Sequence, residues 1–235
     1  MSVILFVFGA IVGSFLNVVG SRWGSGLGFV GRSFCDSCHR KLKWWELVPL
    51  VSFFALRGRC SGCKTRISRQ HLAVEVLTGL IFATVPIYYL PIFCIYIIIS
   101  IYDLRHKVIP DSLVYSAIIL SLVVPLFIVN YSLLDWLAGP IIFIFFASIW
   151  FISRGRAIGF GDAKLGLSVG ILLGAAQGFS AVVLTFWIGT AGVLIYMLLS
   201  RKKLTMKSEV PLGPFLVVGA WLSLIYDLNL LQIPQ

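Results

Sequence analysis

Apolar runs long enough to cross a bilayer recur along this chain from end to end, and that recurrence limits its fold more than any motif does. A membrane-crossing helix needs about 20 predominantly apolar residues, and within lipid every backbone polar group must be bonded inside the protein. Runs of about 17 to 22 such residues divide the sequence into eight expected spans, at about 2–20, 72–89, 90–104, 112–130, 133–152, 162–178, 180–200 and 211–228. Composition agrees: 59% of the 235 residues are hydrophobic and 12% are charged, with a mean hydropathy of +0.99. A soluble globule has roughly half and a quarter. The expected class is all-α, a polytopic membrane protein with about eight transmembrane helices.

Charge gives the expected topology. The net charge of +10 would suggest nucleic acid in a soluble protein, but basic residues also collect on the cytosolic side of membrane spans. With the N-terminus outside, the cytosolic segments are 21–71, 105–111, 153–161 and 201–210. Together with Lys164 at a span mouth they hold every lysine and arginine in the chain. The outer turns, Pro86 to Pro91, Asn130 to Asp135 and Ala176 to Ser180, hold none. Both termini are therefore expected outside, membrane lipids are the expected surroundings and nucleic acid is not an expected partner. Met1 and Ser2 lead straight into an apolar run without a basic n-region, so the first span reads as retained.

Residues 21–71 are a different material, basic and rich in turn-forming glycine. They hold four of the five cysteines as Cys35-x2-Cys38 and Cys60-x2-Cys63. Two such pairs about twenty residues apart can offer four thiolates tetrahedrally to zinc, and a reducing cytosol argues against disulfides. Zinc is the first reading, with iron or a redox dithiol as alternatives. Four sulfurs complete a structural site, leaving His39 and His71 as bystanders. The domains expected are the first transmembrane helix at 1–20, a small cytosolic four-cysteine zinc-binding insert at 21–71, and a seven-helix membrane domain at 72–235. Trp44-Trp45 packs either on the membrane surface or against the knuckles. Arg201-Lys202-Lys203 reads as topology.

The acids that remain mark a site. Gly159-Phe160-Gly161-Asp162 opens an apolar helix in which Gly166, Gly170, Gly174 and Gly178 follow at four-residue spacing. Such a stripe faces protein, because small residues let another backbone approach. An ionisable group there is a functional candidate, with helix capping as the bland alternative. Asp103 ends the third span, so both acids lie at the cytosolic face and can form a general acid and base pair. Glu75 either lines the same cavity or snorkels. Asp111 reads as a helix cap, Asp135 and Asp227 as interfacial anchors, and Gly9 with Gly13 as a close-packing face of the first span.

Taken in order, these motifs resemble the type IV prepilin peptidases, membrane-embedded aspartic proteases of the Gly-x-Gly-Asp type. The resemblance runs from Gly13-Ser14-Phe15-Leu16-Asn17 through both cysteine pairs, with Trp44-Trp45-Glu46-Leu47-Val48-Pro49 and Leu56-Arg57-Gly58-Arg59-Cys60 between. It continues through Val74-Glu75, Asp103 with Ile109-Pro110-Asp111, the Gly159 to Asp162 motif, and Pro211-Leu212-Gly213-Pro214-Phe215. It implies a bacterial inner-membrane enzyme of type IV pilus or type II secretion systems. Such enzymes cleave the basic leader of prepilins or pseudopilins after glycine, and many then methylate the new N-terminus with S-adenosylmethionine. Asp103 and Asp162 match its catalytic pair. The linker from Gly20 to Ser33 departs from the family's histidine-arginine and proline-rich pattern.

Further expectations attach to that reading. Asp162 at a helix N-terminus is favoured as the ionised base and Asp103 near a helix C-terminus as the protonated partner. Gly159 and Gly161 are expected to leave room for an extended substrate backbone, and the acidic lipid headgroups, or local acids such as Glu46 and Glu75, to hold the basic leader. The rival readings are a Gly-x-Gly-Asp protease of other signal peptides and a cation transporter. The first gives no reason for the cysteine insert, and the second needs interrupted helices at the bilayer midplane.

Overall fold

The computed structural model describes residues 2–24, 33–35, 37–127, 131–200, 211–230 and 232. The basic run Arg201-Lys202-Lys203 and the linker glycines Gly26, Gly28 and Gly31 lie outside them. Among the described residues the chain is helical, without strands beyond two isolated bridges. Four stretches are long and apolar enough to cross a membrane: Ser2–Arg22, Ile87–His106, Leu133–Ser153 and Phe160–Ile195. Shorter apolar helices cover Asp111–Leu126 and Gly213–Ile225. By its contacts the chain forms two compact units, Met1–Leu90 and Pro91–Gln235.

In the first unit, α1 (Ser2–Arg22) packs antiparallel along α3 (Arg69–Thr84). The seam is made by absent side chains. A Cβ on Gly9 would lie 2.6 Å from the Phe82 Cβ, one on Gly13 2.7 Å from the Thr78 Oγ1, and one on Gly79 2.8 Å from Phe6. Gly9 and Gly13 are thus the close-packing face that their spacing predicts, and α3 is what they meet. Thr78 turns its hydroxyl back to the Val74 carbonyl at 2.7 Å, so the contact leaves no free donor at the seam. Further along, the Asn17 amide meets the His71 ring.

Between these helices the insert folds as two knuckles of one design. In the first, the Cys35 N–H donates to the Arg40 carbonyl, the His39 N–H to the Cys35 carbonyl and the Leu42 N–H to the Ser33 carbonyl. In the second, Cys60 donates to Thr65, Lys64 to Cys60 and Ile67 to Gly58. Every partner is shifted by the same 25 positions, as are the bridges Phe34–Lys41 and Arg59–Arg66. His39 and Lys64 occupy the same place and both are left-handed, at φ 54° and 58°. A 3-10 turn at Trp44–Leu47 and the short helix α2 (Val51–Ala55) separate the knuckles.

The second unit contains all but the first residue of α4 (Leu90–His106), with α5 (Asp111–Val123), α6 (Leu133–Ser153), α7 (Phe160–Ser200) and α8 (Gly213–Ile225). α7 lies along α5, α6 and α8. Its small-residue stripe does face protein: a Cβ on Gly170 would stand 2.7 Å from the Gly139 Cα, and one on Gly166 2.8 Å from the Phe146 ring. α4 is sunk in bulky neighbours, with Phe93, Tyr96 and Ile99 fully buried and the Tyr96 hydroxyl paired with Ser168 at 2.8 Å.

One break interrupts α7. Gly174 sits at φ 73° and ψ −172°, a region only glycine occupies readily. Both loose ends are capped from the start of α6. Tyr131 donates its hydroxyl to the Ile171 carbonyl, and Asp135 accepts the Ala175 N–H at 2.9 Å while closing a capping box with Ser132. The turn expected at 176–180 therefore comes a few residues earlier. Asp135, read as an interfacial anchor, is a double helix cap.

A branched residue at the α1–α3 seam should therefore lower stability. Gly13→Leu is expected to cost about 1–3 kcal/mol by overpacking. The check is the thermal unfolding midpoint in detergent, with exposed Ile11→Leu unchanged.

Candidate active site and metal centre

Asp162 is the third residue of α7, and its carboxylate folds back to the helix start. Its Oδ2 accepts the Gly159 N–H at 3.1 Å while its own N–H donates to the Gly159 carbonyl at 3.1 Å. This is the return half of a capping box, which satisfies one of the donors that a helix N-terminus leaves unpaired. A Cβ on Gly159 would lie 3.2 Å from the same oxygen. Helix capping and a functional acid are thus compatible readings of one carboxylate.

Asp103, in the last turn of α4, has an equivalent anchor that its sequence neighbours do not reveal. Its Oδ2 accepts the Gly213 N–H at 3.1 Å, and Gly213 is the first residue of α8. A Cβ there would stand 2.8 Å from that oxygen. The glycine of Pro211-Leu212-Gly213-Pro214 is the missing partner, and the 110-residue separation concealed it. Asp103 therefore lies at a helix C-terminus by its backbone and at a helix N-terminus by its carboxylate. The helix-end contrast between the two acids disappears, because each carboxylate meets the N–H of a helix start.

Both carboxylates are enclosed, with residue exposures of 4% for Asp103 and 8% for Asp162, and they lie within reach of each other's charge. Around them the Ile109-Pro110-Asp111 segment is clamped onto α7. A Cβ on Gly161 would be 2.8 Å from the Ile109 Cβ, so Gly161 makes room for this chain's own loop and not for an open approach. Asp111 begins α5 without capping it. Its Oδ1 instead meets the Lys164 ammonium at 2.5 Å, and that ammonium lies over the Tyr115 and Phe160 rings at 4.9 and 5.3 Å.

The four insert cysteines converge. Their sulfurs all lie within 4.8 Å of one another, and Cys35 and Cys63 are 3.7 Å apart. A tetrahedral zinc with bonds of about 2.3 Å sets its sulfurs about 3.8 Å apart, so this donor set fits a metal ion held by four thiolates. The second knuckle favours thiolates. Backbone N–H groups of Cys63 and Gly62 pull the Cys60 thiol down to about 6, and the Thr65 hydroxyl and N–H lower Cys63. Cys94 lies in α4 and belongs to the second unit.

Among the described residues, the acids of the first unit are already engaged. Glu46 is buried and joins the knuckles. It accepts Arg40 Nη2 at 2.6 Å, the Lys43 N–H at 2.7 Å and the Ser61 hydroxyl, and Arg40 also donates to Ser61 at 2.6 Å. The Arg40 hydrogen bond holds the Glu46 carboxyl at about 2. Glu75, also buried, accepts the Leu50 N–H at 2.8 Å. Glu46 is thus committed to the knuckles, and Glu75 to the start of α2 through one oxygen.

Comparison with known proteins agrees with this arrangement of parts. Residues 7–89 match the bacterial peptidase A24 N-terminal domain, and residues 88–198 match the type IV leader peptidase family. The chain is 34% identical to a prepilin leader peptidase/N-methyltransferase of Bacillus subtilis, over 95% of its own length and 93% of that protein's. It is 29% identical to one from Stutzerimonas stutzeri, over 94% and 89%, and 30% identical to one from Pseudomonas putida, over 94% and 88%. No solved structure matches it. Matched by these models across residues 7–198 and by the Bacillus subtilis relative over 95% of its length, the chain belongs to the type IV leader peptidase family.

Proposed function

We propose that this chain is a membrane aspartic endopeptidase that removes the leader of prepilins or pseudopilins after glycine and methylates the new N-terminus. The observation that carries the peptidase reading is the pair Asp103 and Asp162, enclosed together and each fixed by a helix-starting glycine N–H. Two adjacent carboxylates resist double ionisation, so they share a proton as a unit. The ionised member takes a proton from a water, and the resulting hydroxide attacks the scissile carbonyl carbon. The protonated member donates to the carbonyl oxygen as it gains charge. Collapse of the tetrahedral adduct returns a proton to the departing amine, and the pair regains its single proton. The glycine N–H bonds hold one oxygen of each carboxylate and leave the other for water or substrate.

The insert is read as a structural zinc centre. Cys35, Cys38, Cys60 and Cys63 would hold the ion, which folds a segment with little core of its own. For methylation, S-adenosylmethionine is the donor the family uses. Among the described residues there is no strand, glycine loop and helix unit of the kind that cradles a nucleotide.

The topology follows from charge. Eight spans place residues 1–20 as the first transmembrane helix, 21–71 as the cytosolic insert and 72–235 as the catalytic domain, with both termini outside the inner membrane. The break at Gly174 supports two spans within α7. Beyond it the chain returns along its first half, where a Cβ on Gly178 would come within 3.3 Å of the Gly170 Cα. Enclosure of both acids within one apolar helical unit favours the protease over a carrier.

In membranes supplied with a prepilin, Asp103→Asn and Asp162→Asn should each cut cleavage by roughly 10²–10⁴-fold. Cleavage retained by both would remove the paired-acid mechanism. Gly213→Ala should lower the turnover of cleavage more than its KM, because the new methyl displaces a carboxylate and leaves substrate contacts intact. The metal reading is checked by elemental analysis of the purified chain. About one zinc per chain is expected, lost in Cys60→Ser, and iron or no metal would overturn it.

A further inference from the structure

We propose that the segment from Lys41 to Phe54 is a docking surface for anionic lipid, seating the insert on the membrane from which it emerges. Five bulky apolar side chains of this segment face outward: Trp44 is 80% exposed, Phe54 69%, Val51 63%, Leu47 41% and Trp45 38%. Trp44 and Leu47 are three apart on a 3-10 turn, where such residues eclipse, and Val51 and Phe54 share a face of α2. The turn and α2 touch. The knuckles are joined by Glu46, Arg40 and Ser61, and Trp44 is left facing outward.

The position of this surface selects its partner. The Leu50 N–H, at the start of α2, is bonded to Glu75, six residues into α3 and so about 9 Å from its beginning. At this level α3 already packs on the apolar part of α1, since a Cβ on Gly13 would be 3.1 Å from the Val74 carbonyl. α2 is therefore held beside the membrane-crossing portion of the helix pair, not beyond its end. Apolar side chains exposed at that depth meet the boundary between headgroups and acyl chains, where tryptophan is favoured.

Charge separates lipid from peptide as occupant. Exposed Lys41 and Lys43 flank the tryptophans around a recess of about 270 Å³, lined by Lys41, Leu42, Lys43, Trp44 and Trp45. Basic residues near an anionic leaflet contribute about 1 kcal/mol each. The basic leader of a prepilin would be repelled here, and Glu46, the acid within the segment, is buried against Arg40. A phosphate-bearing headgroup satisfies both the cations and the apolar rim. The leader's part in this argument rests on the function proposed above, but the readout of the test does not.

The full-length protein is reconstituted in nanodiscs with p-benzoyl-phenylalanine incorporated at position 44, 54 or 66. After irradiation, adducts are identified by mass spectrometry. Phospholipid adducts are expected at 44 and 54 and not at 66, with several-fold more from phosphatidylglycerol than from phosphatidylcholine. Lys41→Gln with Lys43→Gln should abolish that preference. Adducts to the chain itself at both positions, or to an added prepilin in place of lipid, would overturn the docking surface. Equal yields from the two lipids would overturn its anionic selectivity. Cleavage is not measured in these arms, so an inactive protein that still labels lipid counts against the peptidase reading alone.

Discussion

Burying a carboxylate among apolar helices is the constraint on which this structure turns. An ionised group taken from water costs several kcal/mol unless hydrogen bonds or charges compensate it. Here two carboxylates are buried, and each is met by a backbone N–H at the start of a helix. Helix starts carry unpaired donors and a partial positive charge, so one contact satisfies both acid and helix. The donors approach because they belong to glycines. A methyl on Gly213 would fall within 2.8 Å of the Asp103 carboxylate. The end of α4 is thereby brought to the start of α8, while Asp162 closes the start of its own helix.

The same economy of side chains governs helix packing. In lipid no hydrophobic force draws apolar helices together, so contact depends on how closely backbones can approach. Gly9, Gly13 and Gly79 bring α1 against α3, and Gly139, Gly166 and Gly170 bring α6 against α7. The break at Gly174 needs a backbone without a Cβ and two caps, Tyr131 and Asp135, from the neighbouring helix.

The cysteine insert is organised by repetition and by one buried acid. Two knuckles with the same hydrogen-bond pattern, 25 residues apart, present four sulfurs to a common point. Glu46 ties them together before any metal is considered, bonding Arg40 of the first and Ser61 of the second. Trp44, beside that acid, is left exposed.

Much of this was legible in the sequence because it depends on local pattern. Apolar run length marks the helices, the Cys-x2-Cys spacing marks the sulfur cluster, and four-residue glycine spacing marks the packing faces. Gly159 and Asp162 are three residues apart and form their contact within one helical turn. Other features depended on chain segments meeting from afar. Gly213 reaches Asp103 across 110 positions, Asp135 caps a helix 40 residues later, and Lys164 takes Asp111 away from its expected capping role. Residue chemistry and spacing were enough to say which groups are costly to bury and which faces are narrow enough to pack. Which donor meets which carboxylate was settled by the packing of distant segments. A hydrogen bond is fixed by direction and distance, and neither is written in spacing once the partners lie on different helices.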